Sequence, residues 1–212
     1  MILASVFGAV LIIVLIIGDW YQFTNLRPFF ARYGCGVATR YERIPQRSLK
    51  KLQQHFDRNR LLQLPHGMAR LFAEEQFIVI RPYYQLFTMR FRTAWPLKGS
   101  IQFQVVEKDE LQLTFVKRMP WSSAILTGLW CGLVSIGTLV FVISFAIDGG
   151  FGSFSGALMG IGVVGLGILV LVFGAILVSL AYRLEDHRLM LVYQELERAL
   201  GKVSEVDTLE SP

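Results

Sequence analysis

Residues 119–182 read MPWSSAILTGLWCGLVSIGTLVFVISFAIDGGFGSFSGALMGIGVVGLGILVLVFGAILVSLAY. These 64 residues carry one charged side chain, Asp148, and Asp148-Gly149-Gly150 is the only break in an otherwise apolar run. A hydrocarbon core of about 30 Å is crossed by about 20 apolar residues in a helix. The stretch therefore predicts two spans, 121–147 and 151–182, joined by a loop at 148–150: a membrane hairpin.

Working outward, a second apolar run occupies 1–18 and reaches spanning length with Trp20 and Tyr21. No Lys or Arg precedes it, and its end, Leu15-Ile16-Ile17-Gly18-Asp19-Trp20, offers no small-x-small cleavage site. It reads as a retained span over 1–22. The whole chain is 53% hydrophobic and 17% charged with a mean hydropathy of +0.48, and the apolar residues are segregated into these runs.

Charge sets the expected orientation, because Lys and Arg near span ends remain cytoplasmic. Residues 19–121 hold 17 of the 21 Lys and Arg against 8 Asp and Glu, Arg183 and Arg188 follow the last span, and the 148–150 loop has no basic residue. The expected topology is N-terminus outside, 23–120 in the cytoplasm, Asp148 outside and C-terminus in the cytoplasm of a plasma (inner) membrane. Trp20, Tyr21, Trp121 and Tyr182 would then lie at the cytoplasmic interface, where amphipathic rings are favoured. Insertion itself accounts for the basic balance, so the pI of about 9.4 points to anionic headgroups as the nearest partner rather than to nucleic acid.

Residues 23–120 are long enough for one small domain with its own core. Pro28 should end or kink a helix leaving the membrane. Ser48 reads as the N-cap of a helix over 49–60, with Leu49, Leu52 and Phe56 as its apolar stripe and a stop near Gln63-Leu64-Pro65-His66-Gly67. From Met68 the period becomes two. Phe87, Met89 and Phe91 alternate with Thr88, Arg90 and Arg92; Ile101, Phe103 and Val105 pair across Glu107-Lys108-Asp109-Glu110 with Leu111, Leu113 and Phe115. A second hairpin is expected from 68–73 and 77–81, and a further strand over 36–43. The fold class is thus an α+β membrane protein: three transmembrane helices, one N-terminal and then a C-terminal hairpin, with a small, mostly antiparallel cytoplasmic α+β domain of four to six strands and one helix between them. After Tyr182, Leu189, Val192, Leu196 and Leu200 keep a helical period over 183–200, an amphipathic helix expected to cover the domain. Gly201 should stop it, leaving 202–212 as a disordered tail.

The residues contain no catalytic, metal-binding or nucleotide-binding signature. Cys35 and Cys131 lie far apart in the chain, as do His55, His66 and His187, so no metal-ligand spacing exists, no cofactor is expected, and a reducing cytoplasm argues against a Cys35–Cys131 disulfide. The apolar runs 1–18, 121–147 and 151–182 hold no Asp, Glu, Lys, Arg or His, which weighs against proton relays and coupled transport. They do hold glycine at four-residue intervals, Gly128 and Gly132 in one and Gly152, Gly156 and Gly160 in the next, a helix-packing signature that can serve the hairpin itself or a partner subunit. Arg90 and Arg92, joined by Arg70 and Arg81, form a candidate face for an anionic headgroup; the competing reading is a solvated sheet face. The expected function is a non-enzymatic membrane scaffold, assembly factor or accessory subunit, with membrane lipid and a protein partner or second copy as its partners. The alternatives are an anionic-lipid module and an enzyme acting on a membrane-embedded substrate.

Overall fold

The structure, a computed structural model, describes residues 2–45, 56–57, 59–72, 76–83, 93–107 and 110–209. In chain order these form helix α1 (Ile2–Thr24), helix α2 (Pro28–Ala31), strands β1 (Cys35–Pro45), β2 (Leu61–Leu64), β3 (Gly67–Phe72), β4 (Phe77–Pro82), β5 (Lys98–Glu107) and β6 (Glu110–Met119), helix α3 (Trp121–Ile147), a 3₁₀ turn (Gly150–Gly152) and helix α4 (Phe154–Leu209). Three helices are long and apolar enough to cross a membrane: Ser5–Thr24, Trp121–Ile147, and α4 within Phe154–Ala199. The chain forms two compact units, one of Met1–Ser122 with Leu184–Pro212 and one of Ser123–Arg183.

The first unit is built on six antiparallel strands in the order β1-β6-β5-β4-β3-β2. Both expected hairpins form, β3–β4 closing at Phe72↔Phe77 and β5–β6 pairing Ile101 with Phe115 and Phe103 with Leu113. The strand expected at 36–43 is β1, which pairs with β6 and carries an irregularity between Gly36 and Ala38.

Alternation along the strands sorts side chains onto two faces. One face packs on the chain just after α1, where Leu26 and Ala31 join Phe72, Phe77 and Val79 in a buried cluster and the Phe72 and Phe77 rings stack at 4.7 Å. The other face is covered by the C-terminal part of α4, whose Leu189, Val192, Tyr193 and Leu196 are buried. There Tyr193 stacks on Phe115 at 4.8 Å and bonds Glu42, Lys117 pairs with Asp186, and a Cβ on Gly67 would meet Val192 Cγ2 at 2.6 Å. The amphipathic segment after Tyr182 therefore covers the domain, as its stripe requires. With both faces covered, Phe77, Ile78, Val79 and Ile80 are all buried, so β4 is a continuous apolar run rather than an alternating one.

Several boundaries differ from the sequence reading. Pro28 occupies the first turn of α2, where its missing N–H costs nothing, and α1 has already ended at Thr24. Residues 56–57 and 59–60, expected as the end of a helix, form a bend and turn with Arg60 at φ 57°, and 61–64, expected at the helix stop, form strand β2 on β3; the rest of that helix lies outside the described residues, as does the 87–91 alternation. α4 begins at Phe154 rather than 151, and runs unbroken through Arg183 and past Gly201 to Leu209. Glycine costs a helix interior only about 1 kcal/mol and no proline intervenes in that stretch, so one continuous helix replaces the two helices and tail of the sequence reading.

In the second unit, Gly149 in the left-handed region (φ 70°) ends α3, and the Ser153 hydroxyl caps α4 by accepting from the Gly156 N–H at 3.1 Å. Thr127, Ser135 and Thr138 donate their hydroxyls to carbonyls four residues back, as expected of polar groups in an apolar span.

Candidate functional site

Antiparallel register brings cations separated in sequence into one row on the face that meets the end of α1. Met68 pairs with Arg81 across β3–β4, and Lys98 pairs with Arg118 across β5–β6; Arg81 and Lys98 lie one step beyond the Ile80↔Gly99 pair. Directly opposed like charges destabilise a sheet by several tenths of a kcal/mol or more. Main-chain carbonyls of the chain emerging from α1 offset this. Arg81 donates to Thr24 O, and its other terminal nitrogen to Met68 Sδ at 3.5 Å. Lys98 Nζ donates to Phe23 O at 3.3 Å and Phe30 O at 2.9 Å and lies 4.6 Å from the Phe23 ring centre. Arg118 donates through Nη1 to Gly34 O at 3.1 Å and through Nε to Ser100 Oγ at 3.4 Å. Arg70, two residues along β3 from Met68, donates to Leu26 O at 3.1 Å. The last carbonyls of a helix are unpaired and carry the negative end of its dipole, so cations are favoured there.

Lys98 is fully buried. Burial, then Arg118, then Arg81, pushes its amine down to about 7. Arg118 is also lowered, by burial and then by Arg32, with Cys35 acting in the opposite direction. Arg32 is exposed, with Cζ 5.0 Å from the Phe77 ring centre.

The same region holds a carboxylate that joins two apolar helices. Asp19, near the end of α1, accepts from the Tyr33 hydroxyl through Oδ1 at 2.5 Å, and through Oδ2 from Ser122 N–H at 2.9 Å and Ser122 Oγ at 2.6 Å. It thereby caps the first turn of α3. Burial and this bond push the Tyr33 phenol up to about 12.

Of the residues singled out from sequence, Arg70 and Arg81 share the row's face, and Arg90 and Arg92 lie outside the described residues. Lys98, Arg118, Arg32 and Asp19 were not singled out. Extending the two-residue alternation back from Gln102 through Ser100 reaches Lys98, which was the available signal. Among the glycines, a Cβ at Gly128, Gly132 or Gly152 would meet nothing within 4 Å, whereas Gly156 and Gly160 lie against Gly150 and Phe151 of the turn. The glycines that bring α3 and α4 close are Gly167, on Thr138, and Gly174, on Trp130.

A small cleft lies between Trp20, Thr24, Pro82, Tyr83, Thr93, Pro96, Glu185 and Arg188. Its buried Glu185 accepts from Thr93 Oγ1 at 3.1 Å and Arg188 Nη1 at 2.9 Å. His66, in the β2–β3 turn, pairs with Glu195. Cys35 and Cys131 are free thiols, and among the described residues no three His, Cys, Asp or Glu side chains come together to hold a metal ion. No family model, no characterised protein and no solved structure matches the chain.

Proposed function

We propose that this chain is a non-enzymatic integral membrane scaffold or accessory subunit that binds a partner helix through α3 and presents a basic cytoplasmic domain. It sits with its N-terminus outside, the sheet domain and C-terminus in the cytoplasm and the Asp148 turn outside, in a plasma (inner) membrane. The distribution of Lys and Arg supports that orientation. The observation that carries the partner reading is the open space at Gly128, Gly132 and Gly137. Packing between α3 and α4 uses Gly167 and Gly174 instead, so the smooth strip of α3 remains available for close approach by another helix.

The test is a pull-down of the full chain in mild detergent, beside a Gly128→Leu/Gly132→Leu variant. A partner or second copy recovered with the parent and lost with the variant is expected; recovery of the single chain alone at several expression levels overturns the reading. For orientation, Cys35 should react with an impermeant thiol reagent only after cells are opened, and labelling in intact cells refutes it.

A second reading is an anionic-lipid module. It is favoured by the position of the cationic row, which bonds the last carbonyls of one apolar helix at Phe23 and Thr24 and, at Arg118, lies three residues before the first residue of the next.

A further inference from the structure

The cleft lined by Trp20, Thr24, Tyr83, Thr93, Glu185 and Arg188 lies at one level on two helices. The first apolar run ends at Gly18, with Trp20 and Thr24 two and six residues beyond it; the last ends at Tyr182, with Glu185 and Arg188 three and six residues beyond it. At about 1.5 Å of rise per residue, α1 and α4 each carry their cleft residues roughly 3–9 Å past the end of the apolar run. A headgroup layer is about 5–8 Å deep on each side of the hydrocarbon core. Three crossings return the end of the last span to the side on which α1 ends, so both helices set the cleft among lipid headgroups.

At that level the cleft holds a carboxylate. Glu185 is 6% exposed, and a charge so far out of water is costly unless it is paired. Thr93 Oγ1, at 3.1 Å, and Arg188 Nη1, at 2.9 Å, both donate to Oε1. Oε2 receives no hydrogen bond among the described residues and stays open to the cleft. An ionised carboxylate accepts about four hydrogen bonds, so half of this one is unused, in a cleft that also presents the Trp20 and Tyr83 rings. An alkylammonium is held by these two kinds of group: a charge-assisted hydrogen bond to the carboxylate and attraction to the aromatic faces.

We infer that this cleft binds the primary ammonium of a phospholipid headgroup, with Glu185 Oε2 accepting from the ammonium beside Trp20 and Tyr83. A primary ammonium suits the site better than a quaternary one, because it has N–H donors for Oε2 and fits a small cleft. The headgroup's own phosphate keeps the ligand neutral overall, which matches a carboxylate already paired with Arg188. This inference rests on the membrane-spanning reading and is independent of partner binding by α3 and of the cationic row.

The test offers the full chain, delipidated in a non-ionic detergent, phosphatidylethanolamine, phosphatidylcholine and phosphatidylglycerol with matched acyl chains. Native mass spectrometry counts the lipid retained, and phosphatidylethanolamine should be retained in preference to both others. Glu185→Gln keeps the side chain's size and an oxygen for Thr93 and Arg188 but removes the charge. It should reduce the preference by about tenfold or more, the loss expected for a hydrogen bond to a charged group. Trp20→Leu removes a ring without altering Glu185 and supplies the second variant should Glu185→Gln melt early; it should reduce the preference roughly two- to fivefold. The inference is overturned if phosphatidylcholine is retained as well as phosphatidylethanolamine, if phosphatidylglycerol is preferred, or if either folded variant keeps the parent's preference. The partner pull-down is read separately, so failure of one leaves the other standing.

Discussion

Replacing Lys98 with methionine should change how the stability of the sheet domain depends on pH. The amine is fully buried and titrates near 7 in the folded chain, against an ordinary value of 10.5. In the unfolded chain it returns to that ordinary value. Between pH 7 and 10.5 the folded protein then holds one proton fewer than the unfolded protein at this site, so stability rises with pH. Below pH 7 both states carry the proton and the penalty is constant. The slope for one proton is about 1.4 kcal/mol per pH unit, which accumulates to roughly 5 kcal/mol over the full window. Lys98→Met retains most of the side-chain volume and removes the titration. The assay is equilibrium unfolding of parent and variant in detergent at pH 6, 8 and 10, followed by near-ultraviolet circular dichroism. The stability of Lys98→Met relative to the parent should fall from pH 6 to pH 10 by several kcal/mol, and subtracting the two profiles removes the titration of every other group. A difference between the two proteins that stays constant to within about 0.5 kcal/mol from pH 6 to pH 10 would refute the reasoning.

Other perturbations test the packing directly. Asp19→Ala removes the acceptor for Tyr33 and for the first turn of α3 and should cost about 1–3 kcal/mol, with Asp19→Asn milder, both read from thermal melts. Gly99→Val drives a side chain into Ile80, whose Cγ1 a Cβ would already meet at 2.7 Å, and into Phe115; an overpacking cost of about 1–3 kcal/mol should appear in the same assay. Leu196→Ala, at a buried position on the sheet, should cost about 2–4 kcal/mol, whereas Leu184→Ala, 53% exposed, should change stability by less than about 0.5 kcal/mol. In the second unit, Gly174→Leu collides with Trp130 while Gly128→Leu meets open space. Limited proteolysis in detergent should therefore cut the first variant faster and leave the second like the parent.

The spans and the two hairpins were legible because their signals are local: uninterrupted apolar length, and alternation between Ile101 and Phe115 or Met68 and Arg81. The β2 strand was missed because Leu61-Leu62-Gln63-Leu64 is too short for a period and draws its partner from β3. The buried run of β4 was legible as strand but not as doubly covered, since its second cover comes from the part of α4 that begins at Leu189, more than 100 residues away in sequence. The glycine pattern was read by its four-residue interval, yet Gly167 and Gly174, seven residues apart, make the close contacts with α3. Interval alone marks a smooth strip without saying which partner approaches it.

From sequence alone, hydrocarbon thickness and side-chain period determined three apolar helices and an antiparallel sheet between them. Tertiary structure alone decided that Arg81, Lys98 and Arg118 stand in one row, and that Asp19 of α1 caps α3. Those arrangements depend on strand register and on which carbonyls the chain leaves unpaired at the end of α1, and both are set by residues distant in sequence meeting across the sheet.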